Sequence, residues 1–114
     1  MKTATRRTKN VDLGHDLVIT TSDKDLRKAR NVGGVWIDGR IAGHRFQALV
    51  FAEHAECESY ELATSKISKL WVQRIADHTQ VAYFDRGWDV KPQTKDAAAI
   101  VDFLAAGLSD LIYA

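Results

Sequence analysis

The stretch Val35-Trp36-Ile37-Asp38-Gly39-Arg40-Ile41, running on through Ala42-Gly43 into His44-Arg45-Phe46-Gln47-Ala48-Leu49-Val50-Phe51, decides how this chain folds. Asp38-Gly39 separates Val35-Trp36-Ile37 from Arg40-Ile41, and that pair suits the positive φ angles of a type I′ turn, so a hairpin is predicted there. Ile41-Ala42-Gly43 is the competing place for the chain to bend. In the strand from His44 to Glu53, Phe46, Ala48 and Val50 share a face predicted to point inward, and Arg45, Gln47, Leu49 and Phe51 share the other.

On the N-terminal side, Leu17-Val18-Ile19-Thr20-Thr21 is β-branched and short, which predicts a strand at the sheet edge. Ser22 is placed to cap a helical turn or two running to about Arg30. On the C-terminal side, His54 to Glu58 reads as a connection and Ser59-Tyr60-Glu61-Leu62 as an extension of a strand end. Lys66 to Gln73 and Gln80 to Phe84 read as two strands joined through Ile75-Ala76-Asp77-His78. Thr94 is a helix N-cap, with Asp96 favoured in the first turn and Pro92 just ahead. Ile100, Phe103, Leu104, Leu108, Leu111 and Ile112 then recur at three- and four-residue steps, the apolar stripe of a helix that needs a sheet to cover it. Gly107 is expected to let that helix approach the sheet closely. The predicted fold class is therefore α+β: an antiparallel sheet of four to five strands in a meander, packed on one C-terminal α-helix. Residues 1–12 are read as a flexible basic arm and residues 13–114 as a single domain.

Composition narrows the function. With 46% hydrophobic and 27% charged residues in 114, the chain has the make-up of a globular domain able to hold a core without staples. Cys57 is the only cysteine, so no intramolecular disulfide can form, and a reducing cytoplasm is the expected location. The longest apolar run, Ala97 to Leu108, is broken by Asp102, and the basic start is not followed by an apolar segment, so neither a membrane span nor a secretory signal is expected. The net charge of +1 hides an asymmetry: residues 1–50 carry ten Lys/Arg against five acids, and residues 51–114 six against ten. Such a division predicts one basic and one acidic pole if the fold keeps the halves apart.

The order Val35-Trp36-Ile37-Asp38-Gly39-Arg40-Ile41, Phe46-Gln47-Ala48, Ile67-Ser68-Lys69-Leu70, Tyr83-Phe84-Asp85-Arg86-Gly87-Trp88-Asp89 and Pro92-Gln93-Thr94 resembles a family of short, uncharacterised bacterial and phage proteins. The resemblance implies an antiparallel sheet with one C-terminal helix, an origin on a mobile genetic element, and no assigned activity. That family commonly has a glycine-rich turn before its Ile-Ser-Lys-Leu stretch, where this chain has Glu61-Leu62-Ala63-Thr64-Ser65. Residues 1–34 lie outside the resemblance.

Candidate chemistry concentrates in a few places. Arg86 has the guanidinium fork to grip a carboxylate or phosphate, with Trp88 beside it as a flat contact surface. The structural alternative pairs Arg86 with Asp85 or Asp89 and uses Trp88 to plug one end of the core. If Leu70 and Val72 face the helix, alternation turns Trp71 to the open face with Ile67 and Lys69, where Lys66, Lys69 and Trp71 suit a protein partner or a stacked base. Trp36 raises the same question. Arg6, Arg7, Lys9, Lys24, Arg27, Lys28 and Arg30 make the basic half that a nucleic acid would use. His54-Ala55-Glu56-Cys57 has ligand-like spacing without a second Cys/His pair, so no metal site is expected. Glu53, Glu56 and Glu58 around Cys57 disfavour its thiolate, and no catalytic constellation or cofactor motif stands out. The expected function is a non-enzymatic interaction protein from a mobile element that masks a protein partner, as an inhibitor of a host-defence or nucleic-acid-handling protein. Glu53, Glu56, Glu58, Glu61 and Asp77 offer phosphate mimicry as one route to this. A nucleic-acid-binding module using the basic N-terminal half is the alternative, and an unpaired sheet edge would allow a homodimer.

Overall fold

The stretch from Val35 to Ile41, expected to turn at Asp38-Gly39, is one continuous strand. The structure is a computed structural model, and it describes residues 13–22, 24–26, 34–55, 57–63 and 65–113. The expected arm and the cations Arg6, Arg7, Lys9, Arg27, Lys28 and Arg30 lie outside the described residues. Within them, a four-residue helix α1 (Leu13–Asp16) leads to β1 (Val18–Ile19), β2 (Gly34–Ile41), β3 (His44–Phe51), β4 (Ile67–Arg74), β5 (Thr79–Asp85) and β6 (Trp88–Val90), and the chain ends in α2 (Lys95–Tyr113). The strands form one antiparallel sheet in the order β1-β2-β3-β4-β5-β6, a meander on one long helix, as the α+β reading required. The count of six exceeds four to five because the two edge strands, β1 and β6, are only two and three residues long.

The turn predicted at Asp38-Gly39 lies instead at Ala42-Gly43, with φ of 48° and 74°, and Ile41 pairs directly with His44 across it. Gly39 continues the strand because its missing side chain is occupied space: a Cβ there would sit 2.6 Å from the ring of its cross-strand partner Phe46 and 2.8 Å from the Val18 carbonyl oxygen. Gly34 does the same beneath Phe51, at 2.8 Å. The aromatic rings thus cover the two backbone gaps that glycine leaves, a pairing that restores side-chain cover to a bare strand position.

Phe46, Ala48 and Val50 point inward, as alternation predicted, and meet Ile37, Leu70 and Val72 in the core. Ile67 departs from the pattern. The ladder steps from Leu49↔Lys69 to Val50↔Ile67, leaving Ser68 as an extra residue, and this bulge turns Ile67 into the core instead of onto the open face with Lys69. A second bulge, between Val72↔Ala82 and Gln73↔Gln80, buries Val81 next to Ala82.

The C-terminal helix starts where Thr94 accepts the Ala97 amide on its hydroxyl at 2.9 Å. Ile100, Leu104, Leu108 and Ile112 are buried against the sheet, joined by Ala97 and Val101, which the stripe of large side chains did not include. Near the end, the Tyr113 hydroxyl donates to the Val50 carbonyl at 3.2 Å. Two expectations fail here. Leu111 is 56% exposed, because the buried arc moves along the helix toward Leu108 and Ile112 and leaves it outside in the last turn. Gly107 is exposed with nothing within 4 Å of the position of a Cβ, so close approach to the sheet is not its reason.

Ser59-Tyr60-Glu61-Leu62 does not extend a strand. Glu58–Tyr60 forms a single 3-10 turn, and the Glu61 carboxylate gathers the chain around itself, accepting the amides of Ala55 at 2.7 Å and Lys66 at 2.9 Å. A carboxylate that satisfies loop amides on both sides replaces the ladder those amides would have joined.

Candidate functional site on the open sheet face

One side of the sheet carries α2; among the described residues no element lies across the middle of the other. Strand register sets what stands there. Reading across from β2 to β5, one row is Trp36, Leu49, Lys69 and Asp85, the next Asp38, Gln47, Trp71 and Tyr83, and the last Arg40, Arg45, Gln73 and Gln80. These rows follow from the period-two pattern once the turn is fixed at Ala42-Gly43.

The central rows are pre-shaped. Trp36 is 50% exposed, and Lys69 stretches across Leu49 to hold its ammonium 5.9 Å from the indole centre while also approaching Asp85 at 3.7 Å. Trp71 donates its Nε1–H to Gln80 Oε1 at 2.9 Å, which fixes the plane of its ring. The Tyr83 hydroxyl donates to Asp85 at 3.4 Å. The negative charge of Asp85, then partial burial, that hydrogen bond and Asp89 push the Tyr83 hydroxyl above the ordinary phenol range. A hollow of about 400 Å³ lies between Trp36, Lys69, Trp71 and Tyr83.

At the turn end, Arg40 and Arg45 are direct cross-strand partners and both are exposed. Like charges placed opposite each other destabilise a strand pair, and neither guanidinium takes part in an ion pair among the described residues. They border a second hollow of about 610 Å³ shared with Asp38, Gln47 and Trp71. Beyond it, Arg74 grips Asp77 through two hydrogen bonds of 3.1 and 2.8 Å, and this holds the Asp77 carboxyl well below the usual carboxylate range.

At the opposite end, residues 52–55, Tyr60, Glu61 and Lys66 wall a third hollow of about 510 Å³ floored by Leu49 and Phe51. Its shape depends on Glu61, whose side chain is only 5% exposed and which accepts a 2.7 Å hydrogen bond from His54 in addition to the two amides. Burial alone would raise the Glu61 carboxyl; the hydrogen bonds from His54, Ala55 and Lys66 outweigh it and leave it below its ordinary value. Arg86 lies over the Tyr60 ring at 5.7 Å, with its own backbone in the left-handed region at φ 54°.

The predicted site residues therefore divide. Lys69 and Trp71 stand together at the centre, and Lys66 and Arg86 line the loop-end hollow. Arg86 meets Tyr60, and Lys69, not Arg86, is the partner of Asp85. Trp88 stands apart from both: its ring packs edge-on against Phe84 with centroids 5.2 Å apart, half-buried against the core. Of the N-terminal cations, Lys24 is exposed in a helical turn at 24–26 that Ser22 caps through the Asp25 amide at 3.2 Å. The acidic surface also loses members, since Glu61 is buried and Asp77 is bound to Arg74. Arg40, Arg45 and Tyr83 were missed. The signal was present in the alternation of β2 and β3, but a turn placed at Asp38-Gly39 hides that Arg40 and Arg45 face each other.

No group of three or more His, Cys, Asp or Glu among the described residues is arranged to hold a metal ion, and no described helix is long and apolar enough to cross a membrane. A family model described as a domain of unknown function (DUF7678) matches residues 35–109. The chain belongs to this family. The matched region runs from β2 into the last turns of α2, so every residue of the open face falls inside it. No curated protein and no solved structure matches the chain.

Proposed function

We propose that this protein is a non-enzymatic binding module that works by laying its open sheet face against a partner. The observation that carries the reading is the half-exposed Trp36 in register with Leu49 and Lys69 and one row from Trp71 and Tyr83, on a face with no described element across its centre. Aromatic rings held flat on a rigid sheet are what recognition surfaces use, because little conformational freedom is lost when a partner arrives.

The likeness of Val35 to Thr94 to short bacterial and phage proteins supports an origin on a mobile element, and the lone cysteine supports a cytoplasmic place of action. An inhibitor that masks a component of host defence or of nucleic-acid handling fits a small domain whose candidate chemistry lies on one surface.

Affinity capture from host lysate with the unaltered protein and with Trp36→Ala tests this. The module should capture a partner that the variant loses while melting at the same temperature. A partner retained by Trp36→Ala and by Trp71→Leu would show that the open face is not the docking surface.

A further inference from the structure

We infer that the open face takes single-stranded nucleic acid, with phosphates held by Arg40 and Arg45 and bases stacked on Trp71, Tyr83 and Trp36; this rests on the open face being the docking surface. Three observations converge. The first is the facing arginine pair. Two exposed guanidiniums on directly opposed residues repel each other, and an anion between them relieves the repulsion while accepting from both forks.

The second is the row next to it. Trp71, two residues along β4 from Gln73, stands with its cross-strand partner Tyr83 beside it and its ring locked to Gln80. A phosphate seated on the arginine row thus places its base over a ring already fixed in plane. The third is the spacing of the platforms. Trp36 and Trp71 are separated by two strands and one row, about 12 Å at the backbone by strand geometry, which leaves room for more than one nucleotide between them. Lys69 lies between the two, close to both Trp36 and Asp85.

The same features weigh against other anions. A duplex presents phosphates to the arginines but keeps its base faces stacked inside, so Trp36 and Trp71 would gain nothing. A polyacidic peptide such as polyglutamate satisfies Arg40 and Arg45 but sets no ring on the aromatic row. Single strands offer both, and stacking accepts any base, so binding is expected to be tolerant of sequence.

The full chain is titrated with an end-labelled oligothymidylate of about 15 nucleotides, followed by anisotropy and by tryptophan quenching between about 50 and 200 mM salt. Binding with quenching is expected. Arg40→Gln with Arg45→Gln should reduce the log–log salt slope by about 0.7, the value for the one single-strand phosphate between them that is no longer neutralised. Trp71→Leu and Trp36→Ala should each weaken binding about tenfold or more, while Lys95→Gln at the exposed start of α2 should change nothing. The altered positions on the face are all partly or well exposed, and circular dichroism identifies any variant that fails to fold; Trp71→Phe then replaces Trp71→Leu, with a smaller loss expected. Absence of binding at the lowest salt overturns the inference, as does binding that the face variants leave unchanged. Equal affinity for a duplex, or full competition by polyglutamate at equal charge, overturns it too. If oligothymidylate fails but Trp36→Ala abolishes capture of a nuclease-resistant protein, the docking face stands and only the nucleic-acid assignment falls.

Discussion

Three residues show how local backbone demands set this fold. Gly39 and Gly34 are strand positions where a methyl group would collide with Phe46 and Phe51. Gly39 also meets the Val18 backbone, which cannot rotate away. Gly39→Ala is therefore expected to lower stability by about 2 to 3 kcal/mol, at the upper end for overpacking, measured by urea unfolding. Ala42 is the reverse case. It holds φ 48° at the first position of a type I′ turn, where a side chain that tolerates the left-handed region is favoured. Ala42→Asn creates the preferred Asn-Gly pair, and a gain of about 0.5 to 1 kcal/mol should appear in the same measurement. The two substitutions also explain the misplaced hairpin. Asp-Gly is a stronger turn signal than Ala-Gly in isolation, and what holds Gly39 as a strand residue, the ring of Phe46 seven residues later and the Val18 backbone, is not local to the pair.

At the scale of elements, α2 and the loop before β4 carry opposite lessons. The helix was legible because its cap, its first-turn acid and its apolar spacing all agree, and Thr94, Ile100, Leu104 and Leu108 behave as read. Gly107 was not legible, since a mid-helix glycine signals close packing in one context and a weak spot in another. Its open surroundings decide for the second, and Gly107→Ala should stabilise by about 1 kcal/mol, seen as a higher midpoint in thermal unfolding. The loop from Ala52 to Lys66 was read as connection and strand end because no local period betrays a buried carboxylate. Glu61 is ionised more readily in the folded protein than in the unfolded chain, so its contribution to stability is present above its ordinary value of 4.5 and is lost as pH falls through the depressed folded value. Glu61→Gln should cost about 1 to 3 kcal/mol at neutral pH and flatten the fall in melting temperature below pH 4.5.

At the scale of the molecule, the sheet separates two jobs. One face is closed by α2 through Leu70, Val72, Ile100 and Leu104, and the other presents rows of aromatic and basic side chains. The alternating pattern made that division readable, including the outward placement of Trp71. The identity of the open-face rows was less readable, because rows depend on register, and register here depends on Ala42-Gly43 and on the bulge at Ser68. One slip of turn position conceals Arg40 against Arg45, and one extra residue moves Ile67 from wet to dry.

The simple order of the strands has a kinetic consequence. Each strand pairs with its neighbour in sequence, so the sheet assembles by local closures, the longest spanning 52–66 between β3 and β4, and closure cost grows only slowly with loop length. The clasp of Tyr113 on Val50, by contrast, joins residues 63 apart and must wait for the ribbon to exist. Stopped-flow mixing should show Leu108→Ala accelerating unfolding while leaving the refolding rate nearly unchanged, the behaviour of an interaction made after the rate-limiting barrier. A nascent chain would then have its ribbon paired before the final helix seals it, and until that moment the apolar underside is the vulnerable one.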